Sequence, residues 1–446
     1  WFSSSTPVSE STGTKPRVVV LGTGWASFEF VREIDTERFD VTVISPRNHF
    51  LFTPLLASTS VGTLEFRSIV EPIRDTTGPK NMTYHYATAD VVNVESNTVS
   101  CSSVGETSGT FDVPYDQLVV GIGVVPGTFG VPGVREHATF LKELNNARKI
   151  RKKIISNLEV ARDPSLPKEL RKRFLSFVIV GGGPTGVEFA AEIGDFVLSD
   201  IPKYYPHLDP ADISVTLIEA GDEILTAFDR KLATRARKNF AKMGIDLRTG
   251  TTVKEVKEDE IVLGDGHTLP CGLCVWSAGI EPRPVAERLD LPKDKNKRLI
   301  TDPFLRSLGH NDIFVIGDCG TVEGNPLPAT AQVASQQGNY LAKALKAAVN
   351  GKEVQPWVYH HLGLMAYVGQ YTSLLDSKWV KHSGFAAWFA WRSAYLTRLG
   401  SLKNKLQVTA QPPKPTQAGP SRLDQDHALG QRYHTLLINK GSSLSQ

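Results

Sequence analysis

Short apolar strands, each followed by a glycine-containing turn and an amphipathic stretch, occur twice along the chain. The first apolar run is Arg17–Leu21, which leads through Gly22–Ser27 into a predicted helix extending to Ile34. A second apolar run, Val41–Ser45, comes next. Continuous β-branched runs of this length are typical of buried parallel strands, and the order strand, helix, strand predicts a βαβ unit.

The same order of elements begins again at Ser176. The strand Ser176–Val180 precedes the turn Gly181–Gly186, the predicted helix Val187–Val197 and the strand Ile213–Ile218. Two such units predict an α/β fold with two Rossmann-type dinucleotide-binding domains.

The spacing of the glycines gives these turns a chemical meaning. Gly22 permits a tight turn, and Gly24 lets backbone N–H groups approach a pyrophosphate at the helix N-terminus. Gly186 fills the third glycine position of the second unit, so its helix can press against the strand. The candidate residues for dinucleotide binding in the second unit are Gly181, Gly183, Pro184, Thr185 and Gly186, with Gly279 further along.

An acidic residue ends the second strand of the second unit. Glu219 is placed to accept hydrogen bonds from a ribose 2′-hydroxyl, and its charge would repel a 2′-phosphate. This position therefore favours NADH over NADPH.

The first unit departs from the ideal pattern at two places. Ser27 occupies the third glycine position, where its hydroxymethyl group is expected to cause a tolerable strain. The second strand ends in Ser45-Pro46-Arg47 instead of an acid, so Ser45 or Arg47 is expected to hold the ribose.

A strand late in the chain connects the two units. Residues Asp312–Cys319 read as a strand that ends in Gly317-Asp318. In flavoproteins that bind two nucleotides, such an aspartate accepts hydrogen bonds from the ribityl chain of FAD. The sequence therefore predicts FAD on the first unit and NADH on the second.

Composition and charge exclude several other classes of protein. The 446 residues include 50 basic and 47 acidic side chains, a net charge of +3 that does not indicate nucleic acid binding. No apolar run is long enough to span a bilayer.

From Gly384 to Leu406, apolar residues with Trp388 recur at helical spacing beside Arg392, Lys403 and other basic residues. This pattern predicts a helix lying on a membrane surface, or one packed on the protein's own core.

The cysteines do not indicate a disulfide framework or a metal site. Cys271 and Cys274 form a CxxC pair inside an apolar run that enters a strand, and no second pair exists. We therefore predict core packing for both and no metal ligands.

Both ends of the chain have the composition of extended segments. Residues 1–14 begin with Trp1 and are rich in Ser and Thr, as in a disordered leader or the remnant of a mitochondrial transit peptide. Residues 409–446 begin with the proline-rich stretch Gln411–Pro420, which cannot form a helix. We expect an extended arm that grips a partner protein, or a disordered tail.

Several strings resemble the type II, non-proton-pumping NADH:quinone oxidoreductases, particularly the mitochondrial ones. The resemblance runs from about Lys15 to Val408, and it rests on these segments: Gly22–Trp25, Ile44–Leu56, Phe140–Glu143, Gly183–Glu188, Ala331–Gly338, Trp391–Tyr395 and Asn404-Lys405. It implies a two-domain flavoprotein of the disulfide-reductase type with a C-terminal membrane-facing helical segment. The implied divisions are 15–145 with 295–350 for FAD, 146–294 for NADH and 351–408 for the membrane-facing part.

The resemblance also implies roles for single residues. Glu188 is expected near the nicotinamide, and Gln332 and Gln336 against the flavin near the quinone entry, unless these glutamines only lie on a helix surface. Trp25, Thr53, Pro54, Asp318 and Val333 are expected to contact FAD. The implied reaction transfers a hydride from NADH to FAD and two electrons to a membrane quinone. The implied location is the mitochondrial inner membrane, as a peripheral protein, with a homodimer or respiratory-complex subunits as possible partners.

Two other functions remain open at this stage. The changed position at Ser27 and the atypical end after Val408 are compatible with a catalytically weakened, structural subunit of a respiratory assembly. A sulfide:quinone reductase uses the same scaffold, but it needs two redox cysteines at the flavin, whereas the CxxC pair here lies in a strand.

Overall fold

The computed structural model describes residues 15–74, 82–105 and 109–398, with the backbone alone for 394–398. The leader 1–14 and the tail 409–446 lie outside these residues, so the predictions made for them stay predictions.

The first part of the chain forms an open sheet with two helices. Its elements are β1 Arg17–Leu21, α1 Trp25–Glu33, β2 Asp40–Ser45, β3 His49–Leu51, α2 Leu56–Val61, β4 Val70–Pro72, β5 Met82–Asn93, β6 Thr98–Ser103, β7 Thr110–Pro114, β8 Gln117–Val120 and β9 Val124–Pro126. A short 3₁₀ turn, Thr53–Leu55, precedes α2.

The second part contains the second Rossmann unit. Its elements are α3 Val134–His137, β10 Ala138–Phe140, α4 Leu144–Ala161, α5 Lys168–Phe174, β11 Ser176–Val180, α6 Pro184–Ser199, α7 Ile201–Tyr204, β12 Ser214–Ile218, α8 Arg230–Lys242, β13 Ile245–Arg248, β14 Val253–Val256, β15 Glu260–Leu263, β16 Thr268–Pro270, β17 Leu273–Trp276, β18 Ile280–Pro282 and α9 Pro284–Arg288.

The chain then returns to the first sheet and ends in a small third layer. The remaining elements are β19 Leu299–Thr301, β20 Ile313–Val315, β21 Gly320–Val322, α10 Ala331–Val349, β22 Leu364–Tyr367, β23 Ser373–Asp376, β24 Lys381–Gly384 and α11 Phe385–Arg398.

Two mainly parallel sheets carry the architecture. The first has the order β20-β8-β1-β2-β5-β6-β7, in which β20, β8, β1, β2 and β5 run parallel. The second is fully parallel in the order β10-β17-β11-β12-β13. An antiparallel pair, β9 with β18, connects the two domains. Ligands of such folds bind at the carboxyl ends of the parallel strands, and both glycine turns lie there.

Close helix packing holds the first domain together. A Cβ atom on Gly338 of α10 would lie 2.1 Å from the carbonyl oxygen of Ala26 in α1, so only glycine allows the two helices this approach. Gly317, in the turn after β20, also faces Ala26. The packing places the end of β20 beside the first glycine turn.

The predicted strands and helices of both βαβ units are confirmed, with ends that differ by a few residues. One predicted boundary is wrong: Ala138–Phe140 is the edge strand of the second sheet, because it pairs with β17, so the second domain begins before residue 138 and not at 146. The three-stranded sheet β22-β23-β24 was not predicted. It packs against α6, α8 and α11.

Candidate functional site

A cleft of about 1630 Å³ lies between the two domains, at the carboxyl ends of their parallel strands. Its wall includes both glycine turns and the start of the β9 connection. It also includes the Thr53-Pro54 turn, the start of α10, and residues Tyr359–Met365 in part. A single cavity therefore faces both predicted nucleotide sites.

The first glycine turn presents unpaired backbone donors to this cleft. Gly22 has φ +97°, and a Cβ atom there would lie 2.6 Å from the carbonyl oxygen of Gly121. Gly24 is the N-cap of α1, and no side chain caps that helix. Because Gly24, Trp25 and Ala26 line the cleft, the first N–H groups of α1 are open to an anion there. The turn fits the pyrophosphate of FAD.

Ser27 is accommodated without the strain expected from the sequence. Its buried hydroxyl lies between two carbonyl oxygens, 3.3 Å from that of Leu21 and 3.2 Å from that of Gly121. The Ser27 side chain on α1 therefore makes hydrogen bonds to the ends of β1 and β8. A glycine at this position could not make these bonds.

Ser45 and Arg47 are engaged with neighbouring protein groups. The Ser45 hydroxyl accepts the Arg47 backbone N–H at 3.1 Å and lies 3.2 Å from the hydroxyl of Thr23. The Arg47 guanidinium donates to Glu143 at 2.8 Å and to the Thr23 carbonyl oxygen at 3.1 Å. Both residues line the cleft, but the guanidinium is already paired, so Arg47 positions Glu143 as well as facing the cleft.

Charged residues that were not proposed from the sequence complete this wall. Arg283 lies 3.6 Å from Glu143 and donates to the Ile122 carbonyl oxygen at 2.7 Å; burial lowers its pKa. Lys142 lies 3.9 Å from Asp318. Burial lowers the pKa of Lys142 and raises that of Asp318. The only sequence signal for Lys142 and Glu143 was the Phe140–Glu143 string.

Trp25 connects the glycine turn to the next part of the wall. Its indole N–H donates to the Thr53 hydroxyl at 3.0 Å, and its ring packs edge-on against Phe50. Thr53 and Pro54 begin the 3₁₀ turn on the cleft wall. Trp25, Thr53 and Pro54 therefore lie together on the cleft wall, and their expected contacts with FAD stay predictions.

The glutamines of α10 have separate roles. The Gln332 amide lines the cleft, accepts from the Tyr359 hydroxyl and the Leu362 N–H at 3.0 and 2.9 Å, and donates to the Gly363 carbonyl oxygen at 3.0 Å. Gln336 exchanges two hydrogen bonds with the backbone of His360 and does not lie on the cleft wall of the described structure. Gln336 lies one helical turn further along α10 than Gln332, and its expected contact with the flavin stays a prediction.

Val333 lies beside the Gly317-Asp318 turn, and its expected contact with FAD stays a prediction. Its side chain is buried, and its N–H is satisfied by the hydroxyl of Thr330, which caps α10. Gln337, which was not proposed, accepts the Gly317 N–H at 2.7 Å and so fixes the turn that presents Asp318.

The second glycine turn has the same construction as the first. A Cβ atom on Gly186 would lie 1.9 Å from the Gly181 carbonyl oxygen, which confirms the close helix–strand contact. Gly183 is the N-cap of α6, no side chain caps the helix, and Pro184 stands in its first turn. Pro184 and Thr185 line the cleft.

Glu219 is held in a fixed position by this turn. Its carboxylate accepts the Gly182 N–H at 2.6 Å and the Gly221 N–H at 2.7 Å.

Gly279 lies next to the turn, since Ser277 and Ala278 border Gly181, but it is not on the cleft wall of the described structure.

Glu188 is a buried carboxyl group on the cleft wall. Burial raises its pKa to about 8, although hydrogen bonds from the Tyr367 backbone N–H and the Trp391 side chain act in the opposite direction; nearby Glu192 raises it further. The group is therefore mostly uncharged at neutral pH.

The cysteines lie away from the cleft. Cys271 and Cys274 are buried in the second domain, as predicted, and the buried Cys319 thiol donates to the carbonyl oxygens of Val120 and Ile316. Among the described residues that line the cleft there is no cysteine.

The C-terminal layer exposes a set of large apolar side chains. Those of Val358, Leu362, Trp379, Val380, Phe385 and Phe389 are all at least half exposed, and Trp379 reaches 86%. In α11, by contrast, Trp388 and Trp391 are buried against the protein, as the core-packing alternative predicted, and the contact of its exposed face with a membrane stays a prediction. In the described part of the chain no helix has the length and apolar character needed to cross a bilayer.

Two family models match the chain. One, described as pyridine nucleotide-disulphide oxidoreductase, matches residues 16–338. The other, described as NDH2 C-terminal domain, matches residues 361–414 and so extends past Val408, where the resemblance seen in the sequence ends.

Relatives of similar length have related names. The chain is 45% identical to a probable NADH dehydrogenase of Dictyostelium discoideum, over 88% of this chain and 87% of the relative. It is 44% identical to an internal alternative NAD(P)H-ubiquinone oxidoreductase A1, mitochondrial, of Solanum tuberosum, over 88% and 85%.

Solved structures agree with the sequence relatives. NDH2 of Plasmodium falciparum in complex with NADH superimposes with a TM-score of 0.85 at 25% identity, over 89% of this chain and 97% of that one. The sulfide:quinone oxidoreductase of Aquifex aeolicus shares the fold, with a TM-score of 0.68 at 17% identity over 91% of this chain and all of that one.

Proposed function

The chain belongs to the type II NADH dehydrogenases of the pyridine nucleotide-disulphide oxidoreductase family, and we propose how its residues perform the NADH:ubiquinone oxidoreductase reaction. It is an FAD-dependent enzyme that takes NADH and a quinone as substrates. FAD, when bound, accepts a hydride from NADH and returns two electrons to the quinone without proton pumping. No bond to the protein is required.

The first glycine turn holds FAD in this proposal. The uncapped N-terminus of α1 at Gly24 receives the pyrophosphate, and Asp318 receives the ribityl hydroxyls. Arg47 and Glu143 are fixed to each other, which keeps the wall rigid before the group enters. Thr53 and Pro54, held by Trp25, lie beside the ring.

The second glycine turn holds NADH. The N-terminus of α6 receives its pyrophosphate, and Glu219 accepts the adenosine ribose 2′-hydroxyl from a carboxylate that two glycine N–H groups already orient. Glu188 stands where the second domain meets the cleft. Since its carboxyl group is mostly protonated at neutral pH, it offers a hydrogen-bond donor without placing a negative charge beside the nicotinamide.

The quinone enters on the side of residues Tyr359–Met365. Gln332 fixes this segment through three hydrogen bonds and lies on the cleft wall, and Tyr359, His361 and Met365 line the same wall. The exposed side chains of Val358 and Leu362 flank these residues and offer an apolar route for a lipid-soluble substrate.

The C-terminal layer meets the membrane in this proposal. Exposed Trp379, Phe385 and Phe389, with Lys378 beside the Trp379 ring, suit a bilayer interface. The mitochondrial names of the relatives support a mitochondrial, peripheral membrane location. The inner membrane as its site and an assembly with a second copy or with respiratory subunits stay predictions.

The two alternative functions receive less support. Ser27, which suggested a weakened enzyme, makes hydrogen bonds that strengthen the first turn. The sulfide reaction lacks its cysteine pair on the cleft wall of the described residues.

One observation carries the proposal: two helix N-termini without side-chain caps, at Gly24 and Gly183, serve one cleft. Both glycines have ordinary negative φ angles, and an added Cβ atom would meet no protein atom closer than 3.9 Å. Valine is therefore expected to fold at either position and to block the ligand alone.

The matched variants Gly24→Val and Gly183→Val test the assignment. Gly24→Val is expected to lose FAD and all NADH:ubiquinone activity. Gly183→Val is expected to keep FAD but to raise the KM for NADH at least tenfold. Retention of FAD by Gly24→Val, or unchanged NADH kinetics in Gly183→Val, would contradict the assignment.

A further inference from the structure

Phe129 is an exposed aromatic residue in a strained backbone conformation. Its side chain is 76% exposed, and its φ is +53°, a region that favours glycine and asparagine. A phenylalanine in this conformation costs folding free energy, and its ring, mostly exposed, gains little from burial. Residues of this kind are concentrated at functional sites, because surrounding structure must hold them in place.

The surrounding structure does hold Phe129. The N–H of the preceding residue, Thr128, donates to Glu281 at 3.0 Å, and Glu281 pairs with Arg135 at 2.9 Å. The Thr128 hydroxyl accepts the Gly130 N–H at 3.3 Å. The loop is therefore anchored on both sides of the aromatic ring.

The ring lies directly over Gly279. A Cβ atom at residue 279 would come within 2.8 Å of the Phe129 ring, and Gly279 itself has φ +76°. Ile280, the next residue, is 53% exposed. Phe129 and Ile280 thus form an exposed apolar surface that depends on a glycine between them, which we call the Phe129 platform.

The platform borders the predicted path of NADH. Ser277 and Ala278, immediately before Gly279, lie about 3.0 Å from the position that a Cβ atom of Gly181 would take. Glu219 fixes the adenosine end at β12, so the nicotinamide half must pass the end of β17 toward the cleft. The β9–β18 ladder spans that distance: Pro126 pairs with Ile280 at the platform, and Val124 pairs with Pro282 at the cleft wall.

We propose that the Phe129 platform is a binding surface for the nicotinamide half of NADH, on which the nucleotide rests as it enters the cleft. The inference rests on the proposed function and adds a residue to it. Phe129 is a positioning residue: it holds the nucleotide and takes no part in hydride transfer. Its ring would leave water when the nucleotide binds, which explains an aromatic residue kept exposed and strained in the free protein.

Three variants of the FAD-loaded enzyme test this inference, with NAD⁺ as the ligand in calorimetric titrations. Phe129→Ala removes the ring and is expected to weaken NAD⁺ binding about fivefold to tenfold. Phe129→Asn removes the ring and suits the left-handed backbone, so it is expected to bind NAD⁺ as weakly while its Tm equals or exceeds that of the parent. Phe129→Tyr is expected to keep the parent affinity.

A fourth variant moves the ring without removing it. Gly279→Ala is expected to displace Phe129 and weaken NAD⁺ binding, whereas in the Phe129→Ala background it should have little further effect. Tyr204→Ala, which removes a partly exposed aromatic ring elsewhere in the same domain, is the matched control and should change nothing.

The outcomes separate this inference from the proposed function. If the parent enzyme fails to bind NAD⁺ at all, the proposed function fails. If the parent binds NAD⁺ and both Phe129→Ala and Phe129→Asn bind it equally well, the platform has no role and the inference is overturned. Loss of affinity in Phe129→Ala alone, with Phe129→Asn like the parent, would also overturn it by showing a purely structural effect.

Discussion

The backbone N–H of Tyr367 donates to the Oε1 atom of Glu188 across a distance of 3.1 Å. Tyr367 belongs to the C-terminal sheet and Glu188 to helix α6 of the second domain, so this bond joins the C-terminal layer to the wall of the cleft. The Tyr367 hydroxyl also bonds Asp195, two turns further along the same helix. The C-terminal layer therefore buries the carboxyl group that we propose to lie beside the nicotinamide.

This burial predicts a pH dependence of stability. The pKa of Glu188 is raised to about 8, so between its ordinary value of 4.5 and 8 the folded protein keeps a proton that the unfolded chain releases. Its contribution is fully present below the ordinary pKa and is lost as pH rises through 8. The free energy of unfolding should therefore fall by an amount on the order of a few kcal/mol between pH 5 and pH 8. Glu188→Gln should remove this fall and so flatten the dependence of Tm on pH.

Thermal unfolding followed at several pH values checks this, with Glu258→Gln, an exposed carboxyl, as the control. Parallel Tm curves for the parent and Glu188→Gln would show that the carboxyl group is charged in the folded protein.

Ser27 is expected to stabilise the first domain. Ser27→Ala would leave the carbonyl oxygens of Leu21 and Gly121 without this hydroxyl, which should lower the free energy of unfolding by about 1 kcal/mol. Denaturant titration measures the change, and Ser156→Ala on the exposed side of α4 serves as the reference. A variant as stable as the parent would mean that the serine merely replaces glycine.

Glu219 should determine which nicotinamide nucleotide is used. Glu219→Gln keeps the size of the side chain but removes the charge that repels a 2′-phosphate. We expect the ratio of kcat/KM for NADH to that for NADPH to fall at least tenfold, mainly through a lower KM for NADPH. The exposed neighbour Asp222 provides the control as Asp222→Asn. An unchanged ratio in Glu219→Gln would place the ribose elsewhere.

The two glutamines of α10 should differ in their effects. Gln332→Leu removes three hydrogen bonds to the segment on the cleft wall, so kcat/KM for the quinone should fall at least tenfold while the KM for NADH stays the same. Gln336→Leu removes only the anchor at His360 and should change quinone kinetics less than about threefold. Equal losses in both variants would contradict the separate roles.

Local patterns in the sequence predicted the two Rossmann units because their strands are continuous apolar runs and their turns require glycine. The apolar run around Cys271 and Cys274 likewise indicated burial. These features depend on neighbours in the chain, so they can be recognised without the structure.

Other features depend on residues far apart in the chain. Arg47 seemed available to a ribose, but Glu143 pairs with it from the start of α4. In the turn before β23, Gln370 and Tyr371 adopt positive φ angles of +50° and +54°. Glutamine and tyrosine do not indicate a turn with positive φ angles, so the C-terminal sheet could not be predicted from the sequence. Gln336 and Val333 lie in the same sequence string as Gln332. Their environments differ because the three side chains point in different directions from α10, which the string alone does not show.

The central claim is that the two glycine turns bring NADH and FAD together in one cleft. A visible absorption spectrum of the purified protein, taken before and after anaerobic NADH and again after a short-chain ubiquinone, tests it most directly. We predict a flavin spectrum that NADH bleaches and the quinone restores. A protein that stays colourless after incubation with FAD, or bound flavin that NADH leaves unchanged, would contradict the account.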